Sequence, residues 1–327
     1  MNRLDTDNAR FVQLDGQRSA MHRVSCLSAA LLFGVLYCYS SLAEDKPASE
    51  AGSTVEAQPL QSSVSLKPEW EVGVGGGYSL GYDYPASSDT NKRAIALPFL
   101  IYRTPLFRFG DGGVKAVAIE RPRVKLDLSV GGSLNASSQG NSVRQDMPDL
   151  DFLFEIGPQL AVRLFDRRLE SGVRMRGQFS SKLRAVFSTD FSGIDSRGVV
   201  ADIGVGLSAS EIADSGVTFF TRLDASFATE PLHDYFYEVD PEFVNENRPA
   251  YDANAGYLES TLFIGMAYRP IRQVRLFAGV IKGFYSGASN EDSPLFDTRE
   301  QTRYALGFVW TIKTSKKMID IVDLGGR

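Results

Sequence analysis

Cysteine is nearly missing from this sequence. Its only two examples, Cys26 and Cys38, fall in one N-terminal segment. The remainder of the chain holds no disulfide framework and no thiolate metal site, so an exported form must draw its stability from elsewhere. Histidine is equally scarce. His22 and His233 are the whole supply, too few for a histidine zinc cluster. Positive charge is not in excess either. A net charge of -5 and a pI near 5.3 exclude a nucleic-acid partner, which demands a basic patch or stripe. Repeated long hydrophobic runs are also absent. With a mean hydropathy of -0.14 over 327 residues, the chain is no bundle of membrane helices, each of which needs about 20 apolar residues. A membrane β-barrel stays open, because its strands alternate apolar and polar residues and average out like a soluble protein.

The one long apolar run covers residues 24–39, after Met21-His22-Arg23 and before the small residues ending at Ala43. A charged start, an apolar stretch of about 15 residues and a small-x-small site describe a secretory signal peptide over residues 1–43. Residues 1–20 are polar, so either the charged region is long or Met21 is the true start. An uncleaved anchor is the rival reading, and the run is short for a span. Cleavage after Ala43 removes both cysteines, and neither is placed for lipid attachment. Residues 44–68, rich in Ser, Ala, Glu and Pro, read as a disordered periplasmic leader.

From Trp70 onward the pattern has period two. Val124, Leu126, Leu128 and Val130 interleave with Lys125, Asp127 and Ser129, and similar runs follow through Ile156 to Leu164, Val199 to Leu207, Val217 to Phe227, Leu258 to Tyr268 and Tyr304 to Ile312. Each such strand has one apolar face. A sandwich buries that face; a membrane barrel turns it to lipid. Strand length decides, because these runs meet the 9 to 11 residues or so needed to cross a bilayer obliquely, whereas ordinary strands run about 5 to 6. The predicted fold is all-β: a transmembrane antiparallel barrel over residues 69–313, followed by a tail over 314–327. Aromatics near strand ends (Tyr78, Tyr82, Tyr84, Phe107, Phe109, Tyr268, Phe284, Tyr285) suggest interfacial girdles. Tight turns are expected at Asp166-Arg167, Asp214-Ser215 and Arg269-Pro270. Long loops are expected over 82–93, 135–149, 190–197, 229–255 and 286–301. Twelve strands are expected, counting a short hairpin made of residues 106–109 and 114–119; if that region is irregular, the count is ten.

The polar faces carry both signs of charge: Glu155, Arg163, Arg174, Arg176, Arg184, Asp202, Arg222, Asp224, Glu259 and Arg275. Paired across the lumen they fill a closed barrel; unpaired they line a narrow channel. In a barrel of this size the first arrangement is favoured. Catalytic chemistry finds few candidates. His233 is the one histidine left after cleavage, lies in the longest loop and has no elbow-type serine near it in sequence, so it reads as a loop-packing residue rather than a base. The acidic pairs Asp149 and Asp151, and Asp240 and Glu242, read as loop or lumen carboxylates without the spacing of a calcium loop. Gly73, Gly75, Gly76 and Gly77 lie within a strand, where small residues relieve lumen crowding. No cofactor is expected.

Met147-Pro148-Asp149-Leu150-Asp151-Phe152 running into Glu155-Ile156-Gly157-Pro158, the opening Gly75-Gly76-Gly77-Tyr78, Leu183-Arg184-Ala185-Val186-Phe187-Ser188 and Asp292-Ser293-Pro294-Leu295 resemble, in this order, the MipA/OmpV family of outer-membrane proteins. The resemblance spans most of residues 70–313. It implies export to the outer membrane of a Gram-negative bacterium, contact with outer-membrane lipid, and a non-enzymatic scaffold that brings a lytic transglycosylase together with a penicillin-binding synthase. A narrow pore for small solutes or antibiotics and a surface adhesin are the alternatives. One departure stands out: such barrels usually end on an aromatic residue, whereas Trp310-Thr311-Ile312 here is followed by a polar-ended tail.

Overall fold

In the computed structural model, residues 63–103, 107–109, 114–116, 119–120, 123–133 and 135–323 are described. The segment read as a signal peptide and the leader up to residue 62 lie outside them. Ten long antiparallel strands dominate: β2 (Trp70–Tyr82), β3 (Thr90–Arg103), β7 (Val124–Ser133), β8 (Phe152–Arg168), β9 (Arg174–Thr189), β10 (Asp195–Ser210), β11 (Val217–Ala228), β12 (Gly256–Ile271), β13 (Val274–Phe284) and β14 (Glu300–Thr314). They belong to one thirteen-stranded sheet, completed by the short β4 (Phe107–Phe109), β5 (Val114–Ala116) and β6 (Ile119–Glu120). The expected hairpin exists, since β4 pairs with β5. Its strands are three residues long and cannot cross a bilayer, so ten strands span and not the expected twelve.

The sheet curls into a barrel whose first and last long strands pair over their length, from Tyr304 opposite Leu80 to Thr314 opposite Glu71. Its interruption falls mid-chain, between β5 and β6. There the Cα atoms of β5 approach within 8 Å of β7.

Alternation sets the two faces. Leu100, Ile156, Leu160, Leu164, Leu183, Ile203, Val205, Leu223, Ile264, Leu306 and Ile312 are exposed on the outside, an apolar belt that in water would be untenable and in lipid is required. Inside, glycines make room for rings. A Cβ on Gly73 would lie 2.7 Å from the Phe99 ring and collide with the Trp310 carbonyl, and one on Gly177 or Gly265 would enter the Phe165 or Phe220 ring. Phe220 stacks on Phe263 at 5.3 Å between centroids, and Phe277 packs beside them. The turn-side half of the lumen therefore carries a cluster of phenylalanines.

Four expectations need correction. Asp166-Arg167 and Arg269-Pro270 lie inside β8 and β12, which continue to Arg168 and Ile271; the chain reverses at 169–173 and 272–273 instead, because Gly172 with its positive φ supplies the first turn. Tyr84 and Tyr285 are buried, not interfacial; they stand just past strand ends, where the loops fold inward. Tyr78, Tyr268 and Phe284 do face outward. The last six residues of the supposed disordered leader form β1 (Ser63–Pro68), paired antiparallel with β15 (Met318–Asp323) in the tail. This ribbon prolongs the β2–β14 ladder below the wall: Ser315 donates to the Trp70 carbonyl at 2.8 Å and Glu69 to the Lys317 carbonyl at 2.9 Å.

Candidate functional site: a sealed mouth above a paired lumen

The long loops sit at one end of the barrel and fold together into a cap. Helix α1 (Glu230–Tyr237) starts with Pro at its first turn and buries Leu232, His233, Phe236 and Tyr237, a spacing that puts them on one face. Proline is well suited there, since its missing N–H would be unpaired anyway. This face meets Tyr84, Ala86, Leu150, Val186, Val200, Leu258 and Tyr285 in a single apolar core that joins loops to the upper strands. Thr229, just before the helix, receives the Val199 N–H on its hydroxyl at 2.9 Å, which ties α1 to the barrel rim.

Burying loops leaves backbone groups that must be satisfied, and long polar side chains do this. Arg248 donates to the carbonyls of Phe243, Val143 and Gln145 at 2.9, 2.8 and 2.9 Å, and Arg144 to that of Phe236 at 3.1 Å. Gln301 donates to the carbonyls of Tyr84 and Ser87 at 3.0 and 2.7 Å and accepts from the Tyr285 hydroxyl at 2.5 Å. Tyr84 and Tyr237 donate to the Leu295 and Pro85 carbonyls at 2.7 and 3.1 Å. Burial holds the Tyr84, Tyr237 and Tyr285 hydroxyls well above the usual phenol range, so they stay neutral donors.

His233 is fully buried in this core. Asn290 Nδ2, a pure donor, lies 2.8 Å from His233 Nδ1, which must therefore accept. The ring proton is then on Nε2, which donates to the Gly256 carbonyl at 3.3 Å. Asn290 cannot be flipped, because its Oδ1 accepts from Asn254 N–H at 2.8 Å and from the Tyr251 hydroxyl at 3.2 Å. Both imidazole nitrogens are spent, and burial pushes the ring below its ordinary range. Of the acidic pairs, Asp149 accepts from the Ser138 N–H at 2.7 Å and orders a loop. Asp151 sits beside Arg197, and Asp240 and Glu242 are exposed at the cap surface. Among the described residues no group of three histidines, cysteines or carboxylates is placed to hold a metal ion.

Below the cap the lumen charges fall into clusters. Arg184 bridges Glu155, at 3.0 Å, and Asp202, and Asp202 also accepts from the Ser226 hydroxyl at 2.6 Å. Arg222 forms a fork with Asp224 at 2.6 Å to both oxygens and reaches the Ser180 hydroxyl. Glu259 faces Arg303 at 3.5 Å. Arg163, Arg174 and Arg176 converge on Asp166 at 3.9, 2.8 and 3.3 Å. Arg275 lies on β13 opposite Val309. The sequence reading missed Asp166 as the hub, Arg303, and the Lys125–Asp127 pair at 2.7 Å; it also missed Asn290, Gln301, Arg144 and Arg248 in the cap. Asp127 and Lys125 carried the usable signal, as two charges on the polar face of an otherwise apolar strand.

A family model described as MltA-interacting protein MipA matches residues 72–312. No curated protein matches the chain. Among solved structures, the NanC porin superposes with a TM-score of 0.34 at 9% identity, covering 74% of this chain and 100% of that one. An active-site mutant of outer membrane phospholipase A from Escherichia coli gives 0.30 at 13% identity, with 85% and 98% covered. The TodX monoaromatic hydrocarbon channel gives 0.29 at 9%, with 75% and 90% covered.

Proposed function

The chain belongs to the MipA family, and on that premise we propose that it is a non-enzymatic scaffold of the outer membrane that captures a lytic transglycosylase and, with it, a penicillin-binding murein synthase. The observation that carries this reading is the sealed mouth. A cap with its own apolar core and buried hydrogen bonds closes the loop end, and ion pairs within or between neighbouring strands line the interior together with a cluster of phenylalanines. A solute path would have to open the cap first. A hydrolase would need a base, and His233, the one histidine of the cap, has no free nitrogen. The turn end and the terminal ribbon are open to protein contact, as is the outer face of the cap.

The test is affinity capture from a gently crosslinked envelope, with folding verified by heat-shifted gel mobility. Recovery of a lytic transglycosylase supports the scaffold. A folded barrel that captures none and instead conducts ions in planar bilayers overturns it in favour of a pore.

A further inference from the structure

The ribbon of β1 and β15 is a sheet of two strands, and each has a single neighbour. Two strands alone are marginal in water. Leu66 and Met318 nevertheless project from it 65% and 47% exposed. The two outer edges differ. That of β1 ends in Lys67 and Pro68, the residues by which natural sheets blunt an edge. That of β15, MIDIVD, contains neither.

Register identifies which backbone groups face outward. Since Glu69 donates to the Lys317 carbonyl and antiparallel pairs alternate, Ile319 opposite Lys67 and Ile321 opposite Ser65 are the residues bonded to β1. The N–H and C=O groups of Met318, Asp320 and Val322 therefore point away from it. Because β15 prolongs β14, this edge lies on the β13 side, directly below the β12–β13 turn, where β14 loses its partner after Trp310 and Thr311. Three exposed cations stand above it, toward the wall: Arg272 in that turn, with Lys313 and Lys316 on the way into β15, while β15 itself carries Asp320 and Asp323. Lys317 on the same segment is paired with Glu69 at 2.5 Å.

We propose that the free edge of β15 receives an extended segment of the captured lytic transglycosylase as a third strand, one that is apolar beside β15 and carries its carboxylates at the end that runs up beside Lys316, Lys313 and Arg272. This rests on the scaffold reading above. Main-chain hydrogen bonds to Met318, Asp320 and Val322 supply affinity, as in other strand additions, and Arg272, Lys313 and Lys316 select a segment that is acidic at the end nearest the wall by charge complementarity.

The experiment compares full-length barrels carrying Asp320→Pro, Asp320→Ala and Arg272→Glu, each verified by heat-shifted mobility, for capture of a purified lytic transglycosylase. Proline at 320 removes an outward N–H and obstructs the edge while leaving the bonds of Ile319 and Ile321 to β1. The expected result is at least about a tenfold loss with D320P, since one lost hydrogen bond and its steric obstruction act together, a change within about twofold with D320A, and weaker, less salt-sensitive capture with R272E. Capture by D320P equal to wild type, or a loss with D320A as large as with D320P, overturns the edge and leaves the scaffold reading intact. Failure of the wild-type barrel to capture overturns the scaffold reading, and the edge with it.

Discussion

Asn290 and His233, 57 residues apart in the chain, meet at 2.8 Å inside the cap, with the amide donating and the imidazole accepting. This bond joins the loop after β13 to helix α1, and Asn290 extends it to Asn254 and Tyr251. Protonating His233 puts a donor against a donor. Its folded-state value is lowered by burial from the ordinary 6.5, so the unfolded cap binds the proton more tightly than the folded one. Cap stability is therefore complete above about pH 6.5 and is lost as pH falls from that value through the lowered one. Amide protection in residues 229–255, taken relative to the intrinsic exchange rate at each pH, should fall on acidification, while protection in β8 to β10 should not. A pH-independent profile refutes the assignment of His233 as the neutral acceptor.

Replacing Leu295 with alanine empties a fully buried site that packs with Met147 and Val239. The cost should be about 2 to 5 kcal/mol of cap stability. Limited proteolysis of the loops at fixed temperature checks it. Barrel mobility on unheated gels should be unchanged, because the apolar belt and strand ladders are untouched.

Arg184→Ala leaves the carboxylates of Glu155 and Asp202 facing each other in the lumen without their shared cation. Removing one partner of a buried cluster costs about 3 to 5 kcal/mol. The heat-modification midpoint should fall, and a further Glu155→Gln substitution should recover part of it. A midpoint equal to wild type in the single variant contradicts the pairing.

Gly73→Ala should fail to assemble. The added Cβ meets the Trp310 backbone oxygen and the Phe99 ring, and the first obstacle belongs to a neighbouring strand, which cannot rotate away. A Phe99→Ala partner substitution should not rescue it, whereas Gly265→Ala, which meets only side-chain rings, should be improved by Phe220→Ala.

The barrel was legible because its signal repeats every two residues: Val124 to Val130 and Tyr304 to Ile312 display the outward face directly. The inward phenylalanines were not, since Phe220, Phe263 and Phe277 break the rule that apolar means lipid-facing. Their signature is a glycine on the adjacent strand, as with Phe220 opposite Gly265, and that pairing is invisible until register is known. The cap was the least legible part. Its buried Arg144, Arg248, Asn290 and Gln301 have the composition of solvated loops, and only the partners brought together by folding distinguish a packed arginine from an exposed one. Lumen charges were readable as a set but not as pairs, because Arg184 and Asp202 become neighbours through two strands that their spacing does not align.

The pairing of Leu80 with Tyr304 also orders events in time. Local hairpins from β8 to β14 can form as soon as their own residues are available, but the clasp between β2 and β14 joins the two ends of the chain and has the largest loop to close. Closure is therefore the last and slowest step, and the ribbon of β1 and β15, in register with the same ladder, acts as its leading teeth. A chain cut between β13 and β14 keeps the hairpins from β8 to β13 and lacks the strand that clasps β2.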